Sequence, residues 1–508
     1  KSYKDEPATL WSCEGNPEFQ MDTCDKAERG TDIILYLDDD NKANLTLKYT
    51  IENLLKKYCK YLPIPVVFGK KTEWKDGKEV DTDEDNQINE VNPLWTRQPA
   101  DLKDEDYLKF YHDLYPMAPD PLFWIHLNVD YPFNLTGVLY FPKIENNEFH
   151  RDKIQLFCNQ VFVTDHVEGI VPEFMMLLHG VIDSPDIPLN VSRSYLQSDQ
   201  NVKKISGYIT KKVADRLLEI FNADRKAFEE KWDDLKIFIQ YGMLSDEKFY
   251  EKAKDFALLK NLNGDYFTLE EYKDKVRENQ VDKDGNMVLL YTNDPDAHYT
   301  FIERAKAKGY DVLLQDGELD VHCMSQAEQK HEKLRFVRVD SDTVENLIKK
   351  EETAKDTYSD EQKEGLRKAF EGLLPSDADK LRYYVTCEAA AADALPVFLT
   401  QNEFMRRMKE MAAHQQGMSF YGQMPDQYNL VVNTNHPLIQ ELVGKETSEE
   451  VQEEVEKDGK KETVVKTVYS LANEDERIKQ LIDIALLASG QLKGEALAKF
   501  VNRSVELL

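Results

Sequence analysis

Much that would announce an enzyme, a receptor or a secreted module is missing from this sequence. Its six cysteines (Cys13, Cys24, Cys59, Cys158, Cys323, Cys387) are scattered with no Cys-x-x-Cys pair, which argues against both a disulfide framework and a zinc ribbon. The most apolar stretches, Leu122–Leu127 and Ile170–Leu178, fall far short of the roughly 18 residues that a membrane helix needs. There is no G-x-S-x-G, no H-E-x-x-H, no P-loop and no G-x-G-x-x-G. Basic residues are in deficit: 65 Lys and Arg face 95 Asp and Glu, a net charge of −30 that opposes nucleic acid and anionic membranes as partners. A start methionine and a secretory signal are also missing, so the expectation is a cytoplasmic chain that lacks its natural beginning.

What is present is an ordinary soluble composition, 41% hydrophobic and 31% charged, in 508 residues. That length is too great for one core and implies roughly two to four domains. Residues 1–70 offer a strand (Thr31–Leu37), an amphipathic helix with Leu47, Ile51, Leu54, Leu55 and Tyr58 on one face, and a second strand (Ile64–Phe68). Residues 71–92 are charged and nearly free of aliphatics, which reads as a linker. Residues 93–350 form a long mixed region. Strand signals at Gly137–Phe141 and Gln160–Thr164 precede a helix whose apolar face recurs at Ile205, Ile209, Val213, Leu217 and Phe221. A strand–helix–strand pattern over residues 287–314 suits a crossover onto a parallel sheet. A connector is expected at 351–376. The last part, 377–508, carries an Ala-rich helix, a Met-rich segment, a strand at Tyr428–Val432, an acidic stretch and two closing helices.

Those closing helices have broad apolar faces: Ile478, Leu481, Ile482, Ala485 and Leu486 in the first, Leu497, Phe500 and Val501 in the second. With little chain left to cover them, they suggest a four-helix interface between two copies. Packing onto their own domain is the alternative. No metal site is indicated; His322-Cys323 reads as structural, and Asp282–Asn286 reads as a turn, because the bidentate Glu of a calcium loop does not follow. One loop invites more attention. Asp183–Gln197 is fixed by prolines and holds N-cap-type residues, Asn190 and Ser192, beside Arg193. Free backbone N–H groups next to a guanidinium suit a phosphate, although such an Arg is more often a surface ion-pair partner.

Leu189-Asn-Val-Ser-Arg-Ser-Tyr-Leu-Gln197, preceded by Gly180-Val-Ile-Asp-Ser184, resembles the catalytic loop of the ninety-kilodalton heat-shock chaperones in their bacterial form. Further matches follow in chain order: Arg29–Ile33, Pro93-Leu-Trp-Thr-Arg97, Asp120–Leu122, Val161–Asp165, Asn435–Leu438 and Ile482–Gly490. The resemblance implies an α+β, multidomain ATP-driven clamp: the end of a GHKL-type nucleotide-binding domain, a three-layer α/β middle domain with a small α/β subdomain, and an α+β dimerisation domain. It implies ATP with Mg2+ as the cofactor of the whole protein, with Arg193 meeting the terminal phosphate, Gln197 its companion on the loop and Thr31 near adenine. Where most members have Glu, this chain has Ser194. The rest of the family's nucleotide site would lie upstream of residue 1, so no ATP is expected on this chain alone.

The resemblance also implies a homodimer that binds unfolded or partly folded client proteins. Phe404, Met405, Met408 and Met411 correspond to an exposed client-contact helix, and adaptable methionines suit varied apolar partners. Without the resemblance, the same stripe reads as a core face. A non-catalytic dimeric scaffold is the rival reading. The terminus, Asn502-Arg-Ser-Val-Glu-Leu-Leu508, has neither an endoplasmic retention tetrapeptide nor an acidic co-chaperone tail, which favours a bacterial-type protein.

Overall fold

The computed structural model describes every residue except 2–4, 76, 132–133, 144–152, 168–169, 188–199, 349–357, 376–380, 391, 393, 415–424, 458–459, 472–473 and 507–508. Two small strands open the chain, β1 (Ala8–Ser12) and β2 (Gln20–Cys24), paired antiparallel. The strand expected at Thr31–Leu37 does not form. Its backbone is irregular, with Ile33, Ile34, Leu35 and Tyr36 between 72% and 95% exposed, because no described strand runs beside it to complete a ladder. The amphipathic helix is Lys48–Cys59. The strand after it starts only at Val67, since Pro63 and Pro65 bring no N–H to a ladder.

The charged segment read as a linker is in fact a two-stranded ribbon, β3 (Val67–Lys75) and β4 (Lys78–Gln87). Composition hid it, because both faces are wet; cross-strand pairs Lys70–Asp85 and Lys71–Glu84, each 2.8 Å, take the place of apolar contacts. Asn89 ties its root. Its amide donates to the carbonyls of Leu62 and Ile64, both at 2.7 Å, and its side-chain oxygen accepts the Val66 N–H at 2.7 Å.

The first large sheet has the order β5 (Phe123–Val129), β6 (Leu135–Phe141), β9 (His179–Asp183), β7 (Ile154–Cys158), β8 (Val161–Thr164). Strands β7 and β9 are parallel; the other pairs are antiparallel. Helices Gln200–Ala223, Arg225–Glu230, Trp232–Ser245 and Glu247–Ala253 cover one face. The anticipated stripe does the covering: Ile205, Ile209, Val213 and Leu217 are fully buried. The other face is an aromatic layer of Trp95, Tyr107, Phe110, Tyr111, Tyr140 and Phe157. Tyr61, from the N-terminal piece, wedges into it with ring centroids 4.7 Å from Trp95 and 5.5 Å from Phe157. Strands β6 and β9 approach closely only because Gly180 has no side chain; a Cβ there would stand 2.0 Å from the Val138 carbonyl oxygen, at φ +135°.

A second, smaller α/β unit has the order β11 (Tyr266–Phe267), β10 (Leu259–Asn261), β13 (Val312–Leu314), β12 (Met287–Thr292), β14 (Leu334–Arg338). The expected crossover is present, with β12 parallel to β13 through the helix Tyr299–Ala307. Strand β12 is also parallel to β14 on its other side.

The C-terminal part has a three-stranded sheet, β15 (Leu381–Glu388), β17 (Asp426–Asn433), β16 (Val397–Thr400), followed by the ribbon β18 (Thr447–Lys457) and β19 (Lys460–Ser470). The connector helix, Asp360–Glu371, belongs to this part: Leu366 and Phe370 are buried in its core. Among the described residues no Ala-rich helix forms. Ala390 is held as a turn, its N–H donating to the Asn433 side chain at 3.1 Å and its carbonyl accepting from the Asn435 side chain at 3.0 Å. Two helices, Asp475–Ala488 and Gly494–Glu506, close the chain.

Candidate functional site

The loop read as phosphate-directed starts from a fixed base. Asp183, at the end of β9, is buried; its carboxylate accepts the Trp95 indole N–H at 3.2 Å and the Gln160 backbone N–H at 2.9 Å. Asn159 and Gln160 have φ of 51° and 63°, the left-handed turn that aims those N–H groups back at Asp183. Burial holds the Asp183 pKa above the usual carboxylate value, against the weaker downward pull of the Trp95 and backbone donors. Next to it, Ser184 donates to the Asn134 carbonyl at 2.7 Å, and Asp186 accepts the Asn134 N–H at 2.7 Å. Arg193 and Gln197 lie outside the described residues. Thr31 is exposed, in the irregular segment.

The Met-rich segment is the helix Glu403–His414. It is seated the wrong way round for an ordinary amphipathic helix. Phe404 is 65% exposed and Met405, Met408 and Met411 are only half-buried, while Arg406 and Arg407 are buried, at 5% and 7% exposure. Glu403, Arg406, Arg407 and Glu410 have the i, i+3, i+4, i+7 spacing of a core stripe, filled here by charges. Arg406 donates to Glu403 at 2.6 Å, to Glu410 at 2.8 Å and to the Tyr291 hydroxyl oxygen at 2.5 Å. Arg407 donates to Glu403 at 2.5 Å, to Glu328 at 2.8 Å and to the Phe336 carbonyl. Glu403 also accepts from the Tyr291 hydroxyl at 2.8 Å and from the Arg338 backbone N–H at 3.1 Å. Burial raises the Glu403 pKa, but the two guanidinium groups more than offset it and hold the carboxyl below its ordinary range.

The network continues on the small α/β unit. Arg338 makes a two-pronged contact with Asp340, at 2.5 and 2.6 Å, and reaches the Gln401 side chain at 3.2 Å. His298 stands 3.4 Å from Asp340 and 2.8 Å from Thr292. This Thr–His–Asp arrangement has the residue types of a nucleophile, a base and an orienter, but Thr292 is fully buried and no substrate reaches it. Beside the helix lies a cavity of about 300 Å³ lined by Asn293, Gln315, Asp316, Glu318, His322 and Glu410.

The closing helices differ from expectation. Ile478, Leu481, Ile482, Ala485 and Leu486 are buried in the core of their own domain, packed beneath the three-stranded sheet and the Asp360–Glu371 helix. Leu497 and Phe500 are partly buried against the same core. Arg503 clasps the last helix to the one before it through Asp483, 2.5 Å, and Gln480, 2.8 Å. The exposed apolar residues are Leu487, Val501 and Val505, at 43%, 49% and 67%.

A model of the Hsp90 protein family matches residues 68–473, from the β3–β4 ribbon to the last strand before the closing helices. The chain belongs to the Hsp90 family. A chaperone protein HtpG of Bacteroides thetaiotaomicron is 53% identical over 551 residues, covering 100% of this chain and 81% of that protein. One of Porphyromonas gingivalis is 54% identical, covering 99% and 80%. A more distant chaperone protein HtpG, of Helicobacter acinonychis, is 29% identical over 88% of this chain. The chain is thus a molecular chaperone of the Hsp90 family. Among its described residues no helix is long and apolar enough to cross a membrane.

Tyr291, Glu328, Arg338, Glu403, Arg406 and Arg407 were not singled out from the sequence of this Hsp90 chain. For the helix residues a signal existed, charges at core spacing. Their partners come from 65 or more residues away in the chain, and no local pattern shows them.

Proposed function

We propose that this chaperone takes unfolded or partly folded client proteins on the Glu403–His414 helix, through Phe404, Met405, Met408 and Met411. One observation carries the reading: Arg406 and Arg407 are buried on this helix while Phe404 is exposed and Met405, Met408 and Met411 stay half-buried, the reverse of what a helix does when it only fills a core. The test is suppression of aggregation of thermally denatured citrate synthase by the 508-residue chain. Phe404→Ser with Met405→Ser and Met408→Ser should cut protection severalfold, and equal protection would remove the helix from client binding.

The remaining assignments complete an ATP-driven dimeric clamp. Residues 1–66 are read as the closing part of a GHKL-type nucleotide-binding domain, with Thr31 near adenine. Arg193 serves the terminal phosphate of ATP held with Mg2+, and Gln197 stands beside it on a loop whose base Asp183 and Trp95 fix. With a nucleotide-binding domain joined upstream, Arg193→Ala should lower ATP turnover by at least about tenfold, as loss of a fixed cation at developing charge does. The dimer contact is read as the outer face of the last helix, Val501 and Val505 with Leu487. Val501→Asp with Val505→Asp should shift the species seen in sedimentation toward monomer. The cytoplasm is the compartment that fits six free thiols.

A further inference from the structure

In parallel α/β sheets the crevice at the carboxyl ends of the strands, where successive connections leave in opposite directions, is where ligands bind. The small unit has such a point. From β12 the chain passes to β13 on one side, and from β13 it crosses back to β14 on the other. At the carboxyl ends of β12 and β14 stand Tyr291 and Arg338, and both donate to a single group, the carboxylate of Glu403. Glu403 lies 65 residues further along the chain than Arg338, on the client-contact helix.

We infer that this crevice is a carboxylate-binding site whose ligand is carried by the chain itself, and that its occupancy by Glu403 sets the rotation of the Glu403–His414 helix. The chemistry is that of an anion receptor. A backbone N–H and a phenol approach the two carboxylate oxygens, and Arg406 and Arg407 close over the same group with donors at 2.6 and 2.5 Å. Arg407 then fastens the helix to the unit a second time, through Glu328 and the Phe336 carbonyl. Two fastenings on one helical turn leave one orientation. In it Glu403, Arg406, Arg407 and Glu410 face the unit, and Phe404, Met405 and Met408 cannot turn inward without leaving buried charges unpaired. Apolar packing alone would allow the helix to roll by a residue. A charge-assisted fork does not.

The orienting role rests on the reading of this helix as the client surface, but the carboxylate site does not. Both are tested on the 508-residue chain. Glu403→Gln keeps the shape and removes the charge, and Tyr291→Phe removes one donor with the ring in place. Hydrogen exchange of residues 403–414 should speed up by about tenfold in Glu403→Gln and by about threefold in Tyr291→Phe, with the Gln200–Ala223 helix unchanged. Glu403→Asp, which restores the charge one methylene short, should recover part of the protection. Peroxide oxidation supplies an orientation readout: the relative rates at Met405, Met408 and Met411 should change in Glu403→Gln, whereas mere fraying would bring all three to one fast rate. Unchanged exchange in both variants, or a rise shared by the Gln200–Ala223 helix, would overturn the site. If exchange and oxidation respond as expected while protection of citrate synthase does not change, the site stands and the client reading falls.

Discussion

Two segments far apart in the chain are each brought onto an α/β sheet, one by rings and the other by ions. Tyr61 carries the N-terminal piece onto the first sheet by entering a layer of Trp95, Phe110 and Phe157, where its contacts are edge-to-face and no charge is needed. The Glu403–His414 helix is carried onto the small unit by three arginines and four carboxylates with hardly an aliphatic between them. Apolar burial is proportional to area and indifferent to direction, so the first contact supplies adhesion. Buried ion pairs gain little net stability but fail badly when one partner is missing, so the second supplies orientation.

The largest expected effects break either contact outright. Trp95→Ala removes a fully buried indole and the donor to Asp183, and should cost about 3–5 kcal/mol. Hydrogen exchange should then rise across Lys48–Cys59 and β9 together. Arg407→Ala should cost somewhat less, roughly 2–3 kcal/mol, by taking the guanidinium from Glu328 and leaving Glu403 with Arg406 as its remaining guanidinium partner. The comparison is sharpened by replacing both sides: Arg407→Met with Glu328→Met should recover most of that loss, which no second substitution is expected to do for Trp95. Local exchange is the measurement to use, because a multidomain chain has no single unfolding free energy.

A smaller effect concerns protons. Glu446, before β18, has both carboxylate oxygens shut off from solvent, and burial pushes its pKa up to about 7, with the Gln362 amide pulling weakly the other way. A folded-state pKa above the unfolded value means stability that is complete below about 4.5 and lost as pH rises through 7. Glu446→Gln should therefore be neutral at pH 4 and stabilising at pH 8, by about 1 kcal/mol once partial solvent screening is allowed for. A melting difference independent of pH would contradict it. Glu403 is the opposite case, a carboxylate kept charged by its partners. The smallest expected effect is Tyr61→Phe: if the ring and not the hydroxyl does the holding, exchange at Lys48–Cys59 should stay within about 0.5 kcal/mol of the parent.

Periodicity made the long elements legible. The stripe Ile205–Phe221, the crossover from β12 to β13 and the two closing helices could all be read, because each is a local pattern that burial enforces. Elements whose partner is distant or polar could not be read. Thr31–Leu37 has the composition of a strand and no described strand beside it to pair with, whereas Val67–Gln87 has the composition of a linker and pairs with itself. The apolar face of Asp475–Ala488 was visible, but whether its cover comes from the same chain or another is not encoded in spacing; here the chain's own sheet and the Asp360–Glu371 helix supply it. On the Met-rich helix the charges at core positions, Glu403, Arg406, Arg407 and Glu410, fix its seating more than the methionines do.

Asn89 has a mechanical consequence. A spacer's reach grows with its length only when its two ends are free to separate. Here one amide side chain holds residues 62, 64 and 66 at the exit of the β3–β4 ribbon, and Glu90 donates its N–H to the Lys60 carbonyl at 2.8 Å. The ribbon is a side branch closed at its root, so lengthening or trimming it leaves the distance between the pieces it separates in sequence unchanged. Relative motion of those pieces has to be sought at Tyr61 and its ring of aromatics.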